Sequence, residues 1–419
     1  MKHERLLPWI LCAAVLLLAG CSGAKVLPAG PVETPQPPES TPAVTPAPAE
    51  PTAQPAPTQP PEETDAAAAL LQEMTLREKV GQLFIVCPDA LDFTQTPETI
   101  NDTRARGVTA LTDAMQAALQ DYPAGGILFF GKNLTGPEQI TTFNAQLQQS
   151  SRIPLFLCVD EEGGKVSRLA NHPAFSLPRY KSTAAVGESG DPEAARQMGD
   201  TIGDYLHGFG FNVDFAPVAD VNTNPRNPII GQRAFSSDAQ TAAQMARAMA
   251  DGLAANGVMP VFKHFPGHGD TRQDSHREIA VANKTQAEME GCEWLSFCEA
   301  SAGEGVMVGH VAAPQITGDM TPATLSRGMV TDILKNQLGF SGLVITDSLS
   351  MGAITESYSP AEAAVQALLA GCDILLMPGD YRQAFDGVLA AVEDGTIPQE
   401  MLDKTVLCIL ACKQANGIL

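Results

Sequence analysis

Positive charge is scarce in this sequence: its 419 residues carry 26 Lys and Arg against 48 Asp and Glu, a balance of −22 with the histidines neutral. A chain without a basic stripe is not built to track a phosphate backbone, so nucleic-acid binding is excluded. No Cys-x-x-Cys pair occurs among the nine cysteines, which removes the common zinc and redox motifs. Neither a Gly-x-Gly-x-x-Gly turn nor a P-loop is present, so no nucleotide cofactor is implied. The apolar stretch from Leu6 to Leu18 falls short of the roughly 20 residues that a membrane-spanning helix needs. What the chain does have is 44% hydrophobic and 18% charged residues, enough for a sizeable core and incompatible with a wholly disordered protein.

Two compositions are joined end to end, since 13 of the 32 prolines fall between Pro28 and Pro61. Ahead of them, Lys2 and Arg5 precede the apolar stretch, which ends in Leu18-Ala19-Gly20-Cys21. This reads as an export signal over residues 1–20. A small-residue cleavage site directly before a cysteine resembles the lipobox of bacterial lipoproteins and implies a lipidated Cys21. The mature chain is then expected outside the cytoplasm, anchored to the outer face of the bacterial cell membrane. Residues 21–65 hold Pro, Thr, Ala, Gln and Glu with no periodicity that could be buried, as expected of a tether. At about 3.1 Å per residue in extended polyproline geometry, its reach is on the order of 100 Å.

Residues 66–419 keep 23 Lys and Arg against 41 Asp and Glu, a balance of −18 that suits a soluble extracytoplasmic enzyme. Their cysteines are odd in number, and several sit inside apolar runs as small buried hydrophobes, so no disulfide framework is expected. Eight short apolar runs alternate with amphipathic stretches: 82–86, 126–130, 155–160, 213–221, 259–264, 306–310, 342–347 and 373–377. Helices are expected over 192–207, 238–256, 286–302, 322–338 and 361–370. Eight β-then-α units in about 350 residues predict an α/β fold, a single (β/α)8 TIM barrel.

Barrel active sites lie at the C-terminal ends of the strands, and here those ends are charged. The third run ends in Asp160-Glu161-Glu162, the fifth in Lys263-His264-Phe265-Pro266-Gly267-His268-Gly269-Asp270, and the seventh in Thr346-Asp347-Ser348. A lone Asp after a strand commonly caps the following helix. Three charged strand ends together point to a site, because each carboxylate closing an apolar strand costs desolvation unless it has partners.

The stretch Lys263 to Thr271 followed by Asp274-Ser275-His276 resembles the long loop of family 3 glycoside hydrolases of the β-N-acetylglucosaminidase branch. Gly339-Phe340-Ser341-Gly342-Leu343-Val344-Ile345-Thr346-Asp347-Ser348 is similar to the same family's nucleophile signature. Met74 to Gln82, Asp160 to Val166 and Gly231-Gln232-Arg233-Ala234-Phe235 agree as well. The resemblance runs from about Met74 to the C-terminus and implies a catalytic domain without the sandwich domain many members carry. It implies a β-N-acetylhexosaminidase that removes terminal β-linked N-acetylglucosamine, with cell-wall muropeptides as the expected source. Asp347 is then the nucleophile, and His276 with Asp274 an acid/base dyad in place of the usual second carboxyl group. Imidazole titrates near pH 6.5, so one residue can donate a proton in the first step and accept one in the second. Asp160, Arg168, Arg233, Lys263 and His264 match the family's sugar contacts. No metal or other cofactor is implied, and the partners expected are a carbohydrate and, through the anchor, a membrane; the protein is expected to act as a monomer.

Alternatives stand beside this reading. His264, His268, Asp274 and His276 could together ligate zinc in a metal-dependent barrel hydrolase, although that leaves Asp347 without a task. A tethered sugar-binding protein that has lost catalysis would fit the N-terminus equally well, but this sequence keeps Asp347, Asp274 and His276. Phosphate could replace water as acceptor, because a histidine repels it less than a carboxylate would; an extracytoplasmic address favours water. Arg233 competes as a loop-supporting salt bridge, His268 is expected to shape its loop, and His310 is expected to be a satisfied core histidine.

Overall fold

A computed structural model describes residues 66–274 and 278–419. The lipidation site at Cys21, the tether and His276 lie outside the described residues. Eight parallel strands form the centre: β1 (Phe84–Val86), β2 (Gly126–Phe129), β3 (Phe156–Val159), β4 (Val213–Asp214), β5 (Met259–Phe265), β6 (Gly305–Val308), β7 (Leu343–Thr346) and β8 (Leu375–Leu376). Each coincides with one of the eight apolar runs of the sequence. Neighbours pair in chain order from β1 to β7, and β8 pairs with β1. A parallel bridge from Ile345 to Ile374, with the Thr346 amide on the Ile374 carbonyl at 2.9 Å, closes the ring between β7 and β8. This is the (β/α)8 barrel that the sequence implies.

Every residue of these strands is buried, because helices cover the outside and side chains fill the inside. That double burial is why the strands read as unbroken apolar runs. Aromatic packing closes the core, with Phe129 edge-on to both Phe143 and Phe211 at 5.5 and 5.6 Å between centroids. Outer helices start where capping residues permit: Asp238 accepts the Thr241 amide at 2.9 Å at the head of Ala239–Ala255, and Ser359 with Glu362 forms a capping box at the head of Pro360–Ala370.

Two expected helices are broken. The stretch 286–302 splits into Gln286–Glu290 and Glu293–Phe297, because Cys292 leaves helical geometry (φ −142°, ψ −85°) and lets Glu293 turn inward to pair with Lys284. In 322–338 a 3-10 turn at Ala323–Leu325 precedes a wide helical segment, Gly328–Gln337, that ends with the Leu338 amide on the carbonyl of Ile333, five residues back. The described cysteines are all free, with Cys87, Cys158, Cys372 and Cys412 buried.

The N-terminal end of the barrel is sealed by one lysine from the last helix, Gln399–Ala415. Lys413 is fully buried and donates to Gln82 Oε1 at 2.7 Å and to the carbonyls of Gly125 and Pro154 at 2.9 and 2.6 Å, just ahead of β1, β2 and β3. Three acceptors match the three N–H groups of an ammonium, but burial among neutral groups lowers the pKa to about 7. Between there and lysine's ordinary 10.5 the unfolded chain holds the extra proton, so stability should climb as pH rises through that window. Lys413→Met should remove the climb and, by leaving three acceptors without a donor, cost about 3 kcal/mol or more in urea unfolding. Equal stability of the two proteins at every pH would contradict this role.

Candidate active site

The C-terminal ends of the strands surround a cavity of about 520 Å³. Asp160, Arg168, Arg233, Lys263, His264 and Asp347 all line it, so the structure brings six of the sequence-expected site residues into one hollow. Glu162 and His268 line it too.

Local backbone geometry explains why three of these residues meet. After β3 the chain forms a short hairpin, Glu161–Gly163 against Val166–Ser167, turning through Gly163 and Gly164 at φ +83° and +67°. Left-handed geometry favours glycine, and the tight return sets Arg168 beside Asp160. Side chains alternate along a regular strand, yet consecutive Lys263 and His264 both face the cavity. The pairing of β5 with β6 slips there, with Lys263 opposite Met307 and Phe265 opposite Val308, and this bulge lets both side chains turn inward.

Charges alternate across the cavity floor. Lys263 Nζ lies 2.8 Å from Asp160 Oδ1 and 2.6 Å from Glu162 Oε1. Arg168 donates to Asp160 Oδ2 at 3.0 Å, while Arg233 grips Glu162 with two parallel hydrogen bonds of 2.8 and 2.7 Å. Lys263 and Glu162 are almost fully buried, and a lone charge could not persist there. Burial alone would raise both carboxylates, but the cations outweigh it: Lys263 and Arg168 hold Asp160 well below the usual carboxylate range, and Arg233 and Lys263 bring Glu162 to about 2. Arg233 is therefore a salt bridge and a cavity wall at once. Three cations against two carboxylates leave one positive charge, and Asp347 faces the same cavity.

A second network orients the histidines. Asp220, buried at the end of the fourth apolar run, accepts from His264 Nδ1 at 2.7 Å through Oδ2 and from the His268 amide at 2.6 Å through Oδ1. Arg233 Nη2 sits 3.3 Å from His264 Nε2. A guanidinium only donates, so Nε2 accepts and the proton of His264 is on Nδ1. With both ring nitrogens so engaged, His264 offers no lone pair to a metal. His268 holds its loop as expected, through its amide on Asp220 and Nδ1 against Thr271 Oγ1 at 2.6 Å, and it also forms part of the wall. His310 is buried between Thr324 Oγ1 and the Ser348 carbonyl, each at 2.8 Å, as a satisfied core histidine should be.

Asp347 leaves β7 half-buried, its Oδ1 accepting the Ser348 amide at 2.7 Å and its own amide donating to the Val308 carbonyl at 2.8 Å. The first bond aims the carboxylate and the second fixes the backbone that carries it. Asp274 lies further along the loop after β5, where its carbonyl accepts the Glu278 amide at 3.1 Å, and it is not among the described residues lining the cavity. Its sequence-expected partner His276 lies outside the described residues.

Because Glu162 is held at about 2 instead of the ordinary 4.5, the stability it contributes is complete above pH 4.5 and lost as pH falls through 2. Urea midpoints measured from pH 6 down to 2 should fall across that interval. Arg233→Met should lessen the fall and lower the pH 6 stability by about 1.5–3 kcal/mol, the cost of losing charge-assisted hydrogen bonds to a buried carboxylate that keeps Lys263 as its partner. An unchanged profile in Arg233→Met would contradict the pairing.

Residues 75–412 match the family described as "Glycosyl hydrolase family 3 N terminal domain". The chain is 32% identical over 421 residues to Beta-hexosaminidase LpqI of Mycobacterium tuberculosis, with 97% of each chain covered. It is 30% identical over 378 residues to Beta-hexosaminidase A of Pseudoalteromonas piscicida, with 83% of this chain and 62% of the relative covered. Among solved structures, a glycoside hydrolase family 3 β-N-acetylglucosaminidase from Paenibacillus sp. str. FPU-7 superposes with a TM-score of 0.73 at 34% identity, covering 82% of this chain and 63% of that one. The chain thus spans somewhat over three-fifths of the length of the last two proteins. A parallel barrel with charged strand ends, matched by that family over nearly all its described length, makes this chain a member of glycoside hydrolase family 3.

Proposed function

We propose that the chain is a retaining, exo-acting β-N-acetylhexosaminidase that removes terminal β-linked N-acetylglucosamine. The observation that carries this reading is the placement of Asp347 in one cavity with the alternating charges of Asp160, Lys263, Glu162, Arg168 and Arg233. Donors and acceptors fixed by their own pairing suit vicinal hydroxyls and an N-acetyl group, and they convert binding into orientation of the anomeric carbon. The β-hexosaminidase names of the relatives agree with such a substrate.

Chemistry follows in two displacements. An Asp347 carboxylate oxygen attacks the anomeric carbon as the bond from that carbon to the leaving oxygen breaks, and His276 delivers a proton to that oxygen. In the second step His276 takes a proton from water, the resulting oxygen attacks the anomeric carbon, and Asp347 departs as carboxylate. Asp274 orients the imidazole and offsets its charge, as the acid does in a Ser-His-Asp triad. The N-terminal lipobox and tether support a surface location outside the cytoplasm, where muropeptide fragments are a substrate within reach and water is the acceptor.

Asp347→Ala should give no detectable p-nitrophenol from p-nitrophenyl β-N-acetylglucosaminide. His276→Ala should lower kcat/KM for an unactivated β-linked disaccharide by about 10²–10⁴-fold, the usual contribution of a positioned acid. Near wild-type rates in either variant would refute the assignment.

A further inference from the structure

Two loops at the barrel mouth are fastened to each other beside the charged floor, and two asparagines supply most of the fastening. The loop from Val221 to Arg233 packs on Gly267–Thr271, the stem of the loop after β5. Contact is so close that a Cβ at Gly269 would lie 1.8 Å from the Val221 carbonyl oxygen. Asn224 sends its amide to the Gly269 carbonyl at 3.2 Å and Nδ2 to the Thr271 carbonyl at 2.9 Å.

Asn227 does more. It is buried, and its Nδ2 donates to the carbonyls of His268 and Thr271 at 2.8 and 3.2 Å, while Oδ1 accepts the amides of Ile229 and Ile230 at 2.9 and 2.7 Å. Both N–H groups and both lone pairs of one amide are thereby used, the donors on the stem and the acceptors on the turn beneath Arg233. That turn continues directly into the guanidinium wall, since the Arg233 amide donates to the Ile230 carbonyl at 2.8 Å. The stem continues directly to Asp274.

We propose that Asn227 is a positioning residue that keeps the sugar-gripping Arg233 wall in register with the stem of the acid/base loop. This rests on the assignment of Asp274 and His276 as the dyad. A side chain that served only to stabilise the fold would, when altered, reduce the active fraction equally for every substrate. A side chain that sets the proton donor's place penalises substrates in proportion to their need for a proton.

Asn227→Asp separates the two halves, for it keeps the lone pairs facing Ile229 and Ile230 but turns carboxylate oxygen toward the carbonyls of His268 and Thr271. Its kcat/KM should fall on the order of 10²-fold for an unactivated β-N-acetylglucosaminyl disaccharide, the scale of an ångström-sized misplacement. The p-nitrophenyl glycoside, whose leaving group departs without a proton, should lose far less, and KM should stay near wild type. Amide exchange should quicken over 267–274 and stay slow over 228–234. Asn227→Ala should quicken both segments and raise KM for both substrates. Asn224→Ala, which removes only the neighbouring rung, should show the same leaving-group dependence in weaker form, including where the Asn227 variants do not fold. Equal losses on the two substrates, or wild-type exchange in the stem of Asn227→Asp, would overturn the role alone. A wild-type enzyme that cleaves neither glycoside would overturn the catalytic reading and this role with it.

Discussion

Lys263 holds two carboxylates apart, and the cavity takes its form from that one ammonium. Asp160 and Glu162 come from neighbouring positions on the return after β3, and without the charge between them both could not stay ionised in a place so nearly closed to water. Arg168 and Arg233 complete the alternation from outside, each with one carboxylate of its own. Every member is fixed by its partners before any ligand arrives. The arrangement is therefore rigid, and rigidity is what a site needs if binding is to orient a reacting carbon.

The barrel divides its labour between its two ends. At the N-terminal end a single cation from the last helix satisfies three acceptors ahead of the first three strands, a fixture for stability. At the C-terminal end the polar groups are satisfied by one another and by the loops that carry them. Asp220 shows the economy of this end: one buried carboxylate sets the tautomer of His264 with one oxygen and tethers the backbone of His268 with the other. Asparagines on the loop after β4 then bind the next loop by its carbonyls. Residues that touch the cavity are thus backed by others that never reach it.

Much of this was legible in the sequence, for identifiable reasons. Parallel strands covered on both faces leave unbroken apolar runs, so all eight could be located and counted. Asp160, Lys263, His264 and Asp347 come at the ends of such runs, where charge stands out against its surroundings. Glu162 and Asp220 were harder to see. Glu162 lies on a hairpin whose return no periodicity announces, and its meaning depends on Arg233, 71 positions away. Asp220 closes the fourth run much as Asp160 closes the third, so the same criterion applied to every strand would have found it. Asn227 carries no charge, and nothing in its neighbourhood marks the carbonyls it meets. The break in the expected helix 286–302 shares this cause, since Glu293 turns inward to a partner that local spacing does not record.

The account stands on Asp347 as the group that bonds to the sugar. Incubation with a 2-deoxy-2-fluoroglucosyl donor bearing a good leaving group, its fluorine standing where the acetamido group would be, followed by proteolysis and mass mapping, tests this most directly. The account requires one glycosyl adduct per chain, on the peptide spanning Leu343 to Ser348 and localised to Asp347. An adduct on any other side chain, or turnover of the donor with no covalent species formed at all, would contradict it.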